Sequence, residues 1–144
     1  MKKILYIFLA VTLFCACQRD KVNDDVVTVK IVNLSTKTLV FSNMENGGDF
    51  RFYPESTITL MSGETYSRTQ NNIGNYDPII IAPVAITIEC DGKGISVDSK
   101  DDLERNPCRI ENWNRYSNKS KYGPGVFFDF VISDSDLEKW FGVQ

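Results

Sequence analysis

The sequence predicts an all-β chain: an antiparallel β-sandwich, immunoglobulin-like or similar, closed by a short C-terminal helix. Three observations predict it. Apolar and polar residues alternate over short stretches such as VVTVKIVNL and VAITIEC, the period of two expected of a half-buried strand. Turn chemistry fences those stretches, in NMENGGD, YPES, MSGE and DGKG. Within the body, only the closing SDSDLEKWF carries helical spacing.

The first strand aligns Val27, Val29 and Ile31 against Thr28 and Lys30. TLVFS then offers Leu39 and Phe41, FRFY offers Phe50 and Phe52, and TITLM offers Ile58 and Leu60 against threonines. DPIIIAP is a brief apolar run between Pro78 and Pro83, which suits an edge strand or a crossover because proline cannot donate to a ladder. VAITIEC aligns Val84, Ile86, Ile88 and Cys90, and DGKG returns the chain into ISVD, the clearest hairpin of the sequence. GVFFDFVIS aligns Val126, Phe128, Phe130 and Ile132, with Phe127 and Val131 suggesting burial on the other face too. Ser135, followed three residues later by Glu138, predicts a capping box for a helix whose Leu137, Trp140 and Phe141 share one face. Six to eight short strands with one terminal helix argue for a sandwich, an up-and-down barrel being the alternative.

The N-terminal region is an address rather than a fold. Lys2 and Lys3 precede ILYIFLAVTLFCA, which has no charge, the layout of a secretory signal. The apolar run to Cys17 breaks into Gln18, Arg19 and Asp20, short of the roughly 20 apolar residues a spanning helix needs. The end of this run, LFCAC, resembles the lipobox of bacterial lipoproteins, in which small residues precede a cysteine that receives diacylglycerol. Cys17 fits the lipidated place, with Ala16 at the cut and Cys15 removed with the signal. The resemblance implies two or three acyl chains, palmitate among them, on Cys17, and therefore membrane attachment through lipid, since a single chain holds only marginally. It also implies sorting to the outer membrane, because Gln18 rather than Asp follows Cys17; whether the protein then faces the periplasm or the cell surface stays open.

Three segments follow: a signal peptide over 1–16, a lipidated cysteine and polar tether over 17–25, and one domain over 26–144. Removing residues 1–16, which include Lys2 and Lys3, leaves 128 residues with 14 basic and 19 acidic side chains, a net charge of −5. That size suits one domain. No block of five basic residues is present, so nucleic acid is not an expected partner.

Two cysteines remain in the mature body, Cys90 and Cys108. An oxidising compartment favours joining them, and a closed loop of about 19 residues would contribute roughly 3 kcal/mol; a buried pair of free thiols is the alternative. The chain has no histidine, which removes Ser-His-Asp and Cys-His hydrolysis and imidazole metal sites. No nucleophile elbow, Walker loop or dinucleotide fingerprint is present. We therefore expect no catalytic residue, no metal and no cofactor, although paired carboxylates could still support a small hydrolase. Asp98, Asp101 and Asp102 lack the EF-hand spacing and read as a solvated loop.

The one stretch that looks like a recognition surface is NPCRIENWNRYSNKSKYGPG. Asn112, Trp113, Arg115, Tyr116 and Tyr122 place aromatic faces beside amide and guanidinium donors, a common way to grip glycans and proteins. The other reading of Trp113 is a plug at one end of the core. With VTVKIVNLSTKTL, NPCRIENW and the closing FVISDSDLEKW, the chain resembles the small β-sandwich lipoproteins of the Bacteroidetes cell envelope. That resemblance implies fold and location and carries no catalytic residue onto any position. The expected function is a non-catalytic binding or adhesion module of the envelope, contacting a glycan or an envelope protein. The alternative is a structural accessory of a larger assembly, pairing through an edge strand near Ile79–Ile81.

Overall fold

The computed structural model describes residues 26–47, 51–71, 81–120 and 123–142. The predicted signal peptide, Cys17 and the tether up to residue 25 lie outside the described residues, as do Phe50, Ile79, Ile80 and Tyr122. The body is mostly β. Among the described residues eight strands, β1 (Val27–Asn33), β2 (Leu39–Ser42), β3 (Ile58–Leu60), β4 (Thr65–Gln70), β5 (Ala85–Cys90), β6 (Lys93–Asp98), β7 (Asn114–Ser120) and β8 (Gly123–Ile132), are followed by one α-helix, α1 (Asp134–Phe141).

The strands form two four-stranded sheets, ordered β4-β1-β8-β7 and β3-β2-β5-β6. Alternation decides which residues each sheet buries. Val27, Val29 and Ile31 of β1 and Val126, Phe128, Phe130 and Ile132 of β8 are almost wholly buried, and so are Leu39, Phe41, Ile86 and Ile88 from the other sheet. All belong to one hydrophobic cluster, which Leu137 and Trp140 of α1 close. Burying each large apolar side chain contributes about 1.5–3 kcal/mol. Asp91 and Gly92 (φ 50° and 75°) make the two-residue turn of the β5–β6 hairpin, as the DGKG segment predicts.

Pairing is antiparallel throughout the described residues except between β1 and β8, which run parallel from Val27 opposite Val126 to Asn33 opposite Ile132. The first and last strands therefore meet side by side in the middle of one sheet, which the expected all-antiparallel arrangement does not contain. Asn33 secures the end of β1. Its buried amide nitrogen donates to the carbonyls of Lys37, Leu60 and Met61, and its oxygen accepts from the backbone and hydroxyl of Ser35. A fully satisfied buried amide fixes one register, because any slip would leave its donors unpaired.

Four expectations are corrected. The FRFY segment is not a strand where described: Phe52 and Tyr53 are consecutive and both buried, because the Asn46 side chain bonds the N–H and C=O of Tyr53 in place of a neighbouring strand. β4, TYSRTQ, and β7, NRYSNKS, are strands that periodicity does not reveal, both at the margins of their sheet. α1 begins two residues earlier than Ser135: Ser133 is its N-cap, and Asp136 Oδ2 accepts from both the backbone N–H and the hydroxyl of Ser133. Finally, Cys90 and Cys108 are free and buried. Cys90 pairs with Lys93 beside the hairpin turn. The Cys108 thiol instead donates to Val97 O at 3.5 Å, and Val97 pairs with Ile86. Four residues of strand, roughly 13 Å, separate those two places, whereas a disulfide needs Cα atoms within about 7 Å.

Candidate functional site

The predicted recognition stretch divides into a closed loop and a strand. Residues 98–113 fold over one end of the core around Asn106, whose buried amide donates to Asp98 O and Asp101 O and accepts from Cys108 N–H. Trp113 is 6% exposed. Its indole N–H donates to Pro107 O at 2.8 Å, and its ring lies 5.3 Å from that of Phe130. It is a plug and offers no face to a ligand. Asn112 donates to Asn106 O at 2.9 Å and so braces the same loop. The aspartates also serve the backbone, with Asp101 Oδ2 accepting from Asp98 N–H and Asp98 Oδ1 from Lys100 N–H. Among the described residues no group of His, Cys, Asp or Glu could hold a metal ion.

Arg115 and Tyr116 lie on β7, not in a loop. Arg115 pairs with Phe128, so its position belongs to the core-facing side of the sheet, yet it is exposed because it lies at the margin. Tyr116 faces the other way. It is 38% exposed and stacks on Phe127 at 5.2 Å. Its hydroxyl accepts from Lys30 Nζ and donates to Asp129 Oδ2, each at 3.0 Å. The hydrogen bond to Tyr116 and the charge of Asp129 hold the Lys30 ammonium above the usual lysine range despite its partial desolvation. Lys30, Tyr116 and Asp129 come from three strands with distant sequence positions, and only the pairing of β1, β8 and β7 joins them. This cluster is knit together on the sheet's outer face through the Tyr116 hydroxyl, while Asp129 Oδ1 is buried without a hydrogen-bond partner and faces Lys30 Nζ at 3.9 Å.

A different region provides an open cavity. A cleft of about 400 Å³ is lined by Arg51, Tyr53, Pro54, Glu55, Tyr66 and Arg68. Tyr66 and Arg68 lie on β4 opposite Ile31 and Val29, which are buried. Residues directly opposite share a face, so the core layer continues here into Tyr and Arg. The second wall is the 51–55 segment. The Tyr53 hydroxyl donates to Ile81 O, and the Tyr66 hydroxyl donates to Phe52 O, each at 2.6 Å; the latter bond ties the two walls together. Burial pushes both phenols above the usual tyrosine range, an effect that the Arg68 charge partly offsets at Tyr66. Arg51 and Glu55 pair at 3.7 Å and both remain largely exposed. Ile81, by contrast, is buried with its carbonyl taken by Tyr53, so the edge expected near Ile79–Ile81 offers no free strand at that residue.

Sequence reasoning missed the cleft because Arg51 and Arg68 are 17 positions apart and no motif links them. The only available signal was the Tyr-Ser-Arg alternation in β4, which places an aromatic and a cation on one face. Among the described residues no helix is long and apolar enough to cross a membrane. No protein-family model and no curated protein matches the chain.

Proposed function

We propose that the chain is a lipid-tethered binding module of the bacterial cell envelope, non-catalytic, held on the outer membrane through Cys17 and similar to the small lipoproteins of Bacteroidetes. Its body is a β-sandwich, immunoglobulin-like or related: two separate four-stranded sheets that share one core support a sandwich over a closed barrel. The tether is supported by LFCACQ, with Ala16 and Cys17 at the cut and the acyl acceptor. The absence of histidine from the whole sequence favours binding over hydrolysis.

The observation that carries the binding reading is the cleft beside β4. It is lined by two guanidiniums and by the half-buried Tyr66 ring, with the buried Tyr53 behind, and both phenol hydroxyls are already bonded inside the protein. Concave sites with aromatic walls and a few polar groups are where small ligands are held. The ligand contact therefore moves from Trp113 to the opposite margin of the sheet.

Metabolic labelling with a fatty acid, followed by capture of the lipidated protein from its own envelope, tests the reading. Wild type and Cys15→Ser should be labelled and Cys17→Ser should not, and a glycan or protein should be retained with the labelled chain. Equal labelling of Cys15→Ser and Cys17→Ser would remove the tether. Capture of nothing above a mock preparation would remove the binding role.

A further inference from the structure

We infer that the cleft beside β4 takes an acidic saccharide, a ligand of one or two sugar rings carrying a carboxylate; this rests on the reading of the protein as a binding module. The cleft forms because β4 ends its sheet. Where the central strands put Val29 and Ile31 into the core, β4 sets Arg68 and Tyr66 opposite them, and the 51–55 segment forms the facing wall. The half-buried Tyr66 ring is held before any ligand arrives by its bond to Phe52 O, and Tyr53, itself buried, stiffens the facing wall through its hydroxyl bond to Ile81 O and the bonds of its backbone to the Asn46 amide. A fixed ring presents contact area at little conformational cost on binding.

The polar groups select the chemistry. Arg51 is joined to Glu55 only by a loose, solvent-exposed pair at 3.7 Å, and among the described residues no carboxylate is paired with Arg68. Arg68 lines the cleft beside Tyr66, two residues along the same face of β4. Two guanidiniums in one cleft, on a mature chain that is otherwise net acidic, favour an anion. A planar carboxylate fits the guanidinium fork in a bidentate manner. Pro54 and the Tyr66 ring add apolar surface that a bare inorganic anion could not use, while Glu55 can accept hydrogen bonds from ligand hydroxyls. Donors for a carboxylate, an acceptor for hydroxyls and a ring wall together describe a sugar acid. The volume of about 400 Å³ lies at the small end of ligand sites and matches one or two rings.

Calorimetric titration of the full lipidated protein in detergent tests this, with digalacturonate, neutral galactobiose, inorganic phosphate and a short acetylated glutamate peptide as probes. Digalacturonate should saturate one site. Its affinity should fall at least about tenfold in Arg68→Gln and in Arg51→Gln, with unchanged melting, and should weaken as salt is raised. Equal affinity for galactobiose, tighter binding of phosphate or the peptide, or full affinity in both variants would overturn the ligand class. So would no saturation by digalacturonate. If an envelope partner is nonetheless captured by wild type and lost in Arg68→Gln, the binding module stands and only the acidic saccharide falls. If nothing is captured either, the binding reading falls with it.

Discussion

β4 and β7 are the two margins of one sheet, and they use similar residues to opposite ends. Each places an arginine opposite a buried residue of the neighbouring strand, Arg68 opposite Val29 and Arg115 opposite Phe128. Inward-facing charges at sheet margins discourage further strand pairing, so this shared feature needs no ligand to explain it. The difference lies in what covers the adjoining core. Beside β7 the 98–113 loop lays Trp113 over Phe130 and ties it to Pro107, leaving Tyr116 to a bonded cluster on the outer face. Beside β4 the 51–55 segment stands off and leaves a cleft. Composition alone does not make a site; the fit of the neighbouring segment does.

The largest expected effect falls on the closed margin. Trp113→Ala removes a buried aromatic and should cost about 3–5 kcal/mol of unfolding free energy, read from denaturant midpoints. A change below about 0.5 kcal/mol would mean that Trp113 is a surface residue after all and would erase the contrast between the margins.

A second effect comes from Cys108, which lies under the same loop. Burial pushes its thiol up to about 12, with Asp98 and Asp101 adding to the shift. An unfolded thiol ionises near pH 8.5. The unfolded chain therefore releases its proton first, and the stability due to this group is intact below about pH 8 and declines as pH rises toward 12. Cys108→Ala should flatten that part of the stability profile. In the wild-type protein, alkylation at pH 8 should be slow at Cys108 when native and complete at both Cys90 and Cys108 once denatured without reductant. Failure to alkylate either thiol before reduction would restore the disulfide that the register excludes.

Much of this fold was legible in the residues themselves. β1, β2, β8 and the β5–β6 hairpin follow from alternation that a buried face imposes, and Asp91-Gly92 names its own turn. β4 and β7 were not legible, because a marginal strand with little cover has no need of apolar alternation: Thr65, Ser67, Arg68 and Thr69 are exposed, as are Asn114, Arg115 and Tyr116. The parallel meeting of β1 and β8 depends on the whole chain path, which local sequence does not encode. Trp113 was legible as an aromatic among polar residues, but its burial required Asn106 and Pro107 to arrange the loop above it. The cleft required the register between Val29 and Arg68, a relation between residues far apart in the chain.

The smallest expected change in stability carries the most direct test of which margin binds. Arg68→Gln and Arg115→Gln each alter an exposed side chain and should shift unfolding by no more than about 0.5 kcal/mol. Capture of the lipidated protein from its own envelope, quantified for both variants beside wild type, then compares the margins at equal stability. Arg115→Gln should retain the bound partner at the wild-type level, and Arg68→Gln should lose it. Retention by Arg68→Gln with loss in Arg115→Gln would place recognition on β7 and rule out the cleft beside β4.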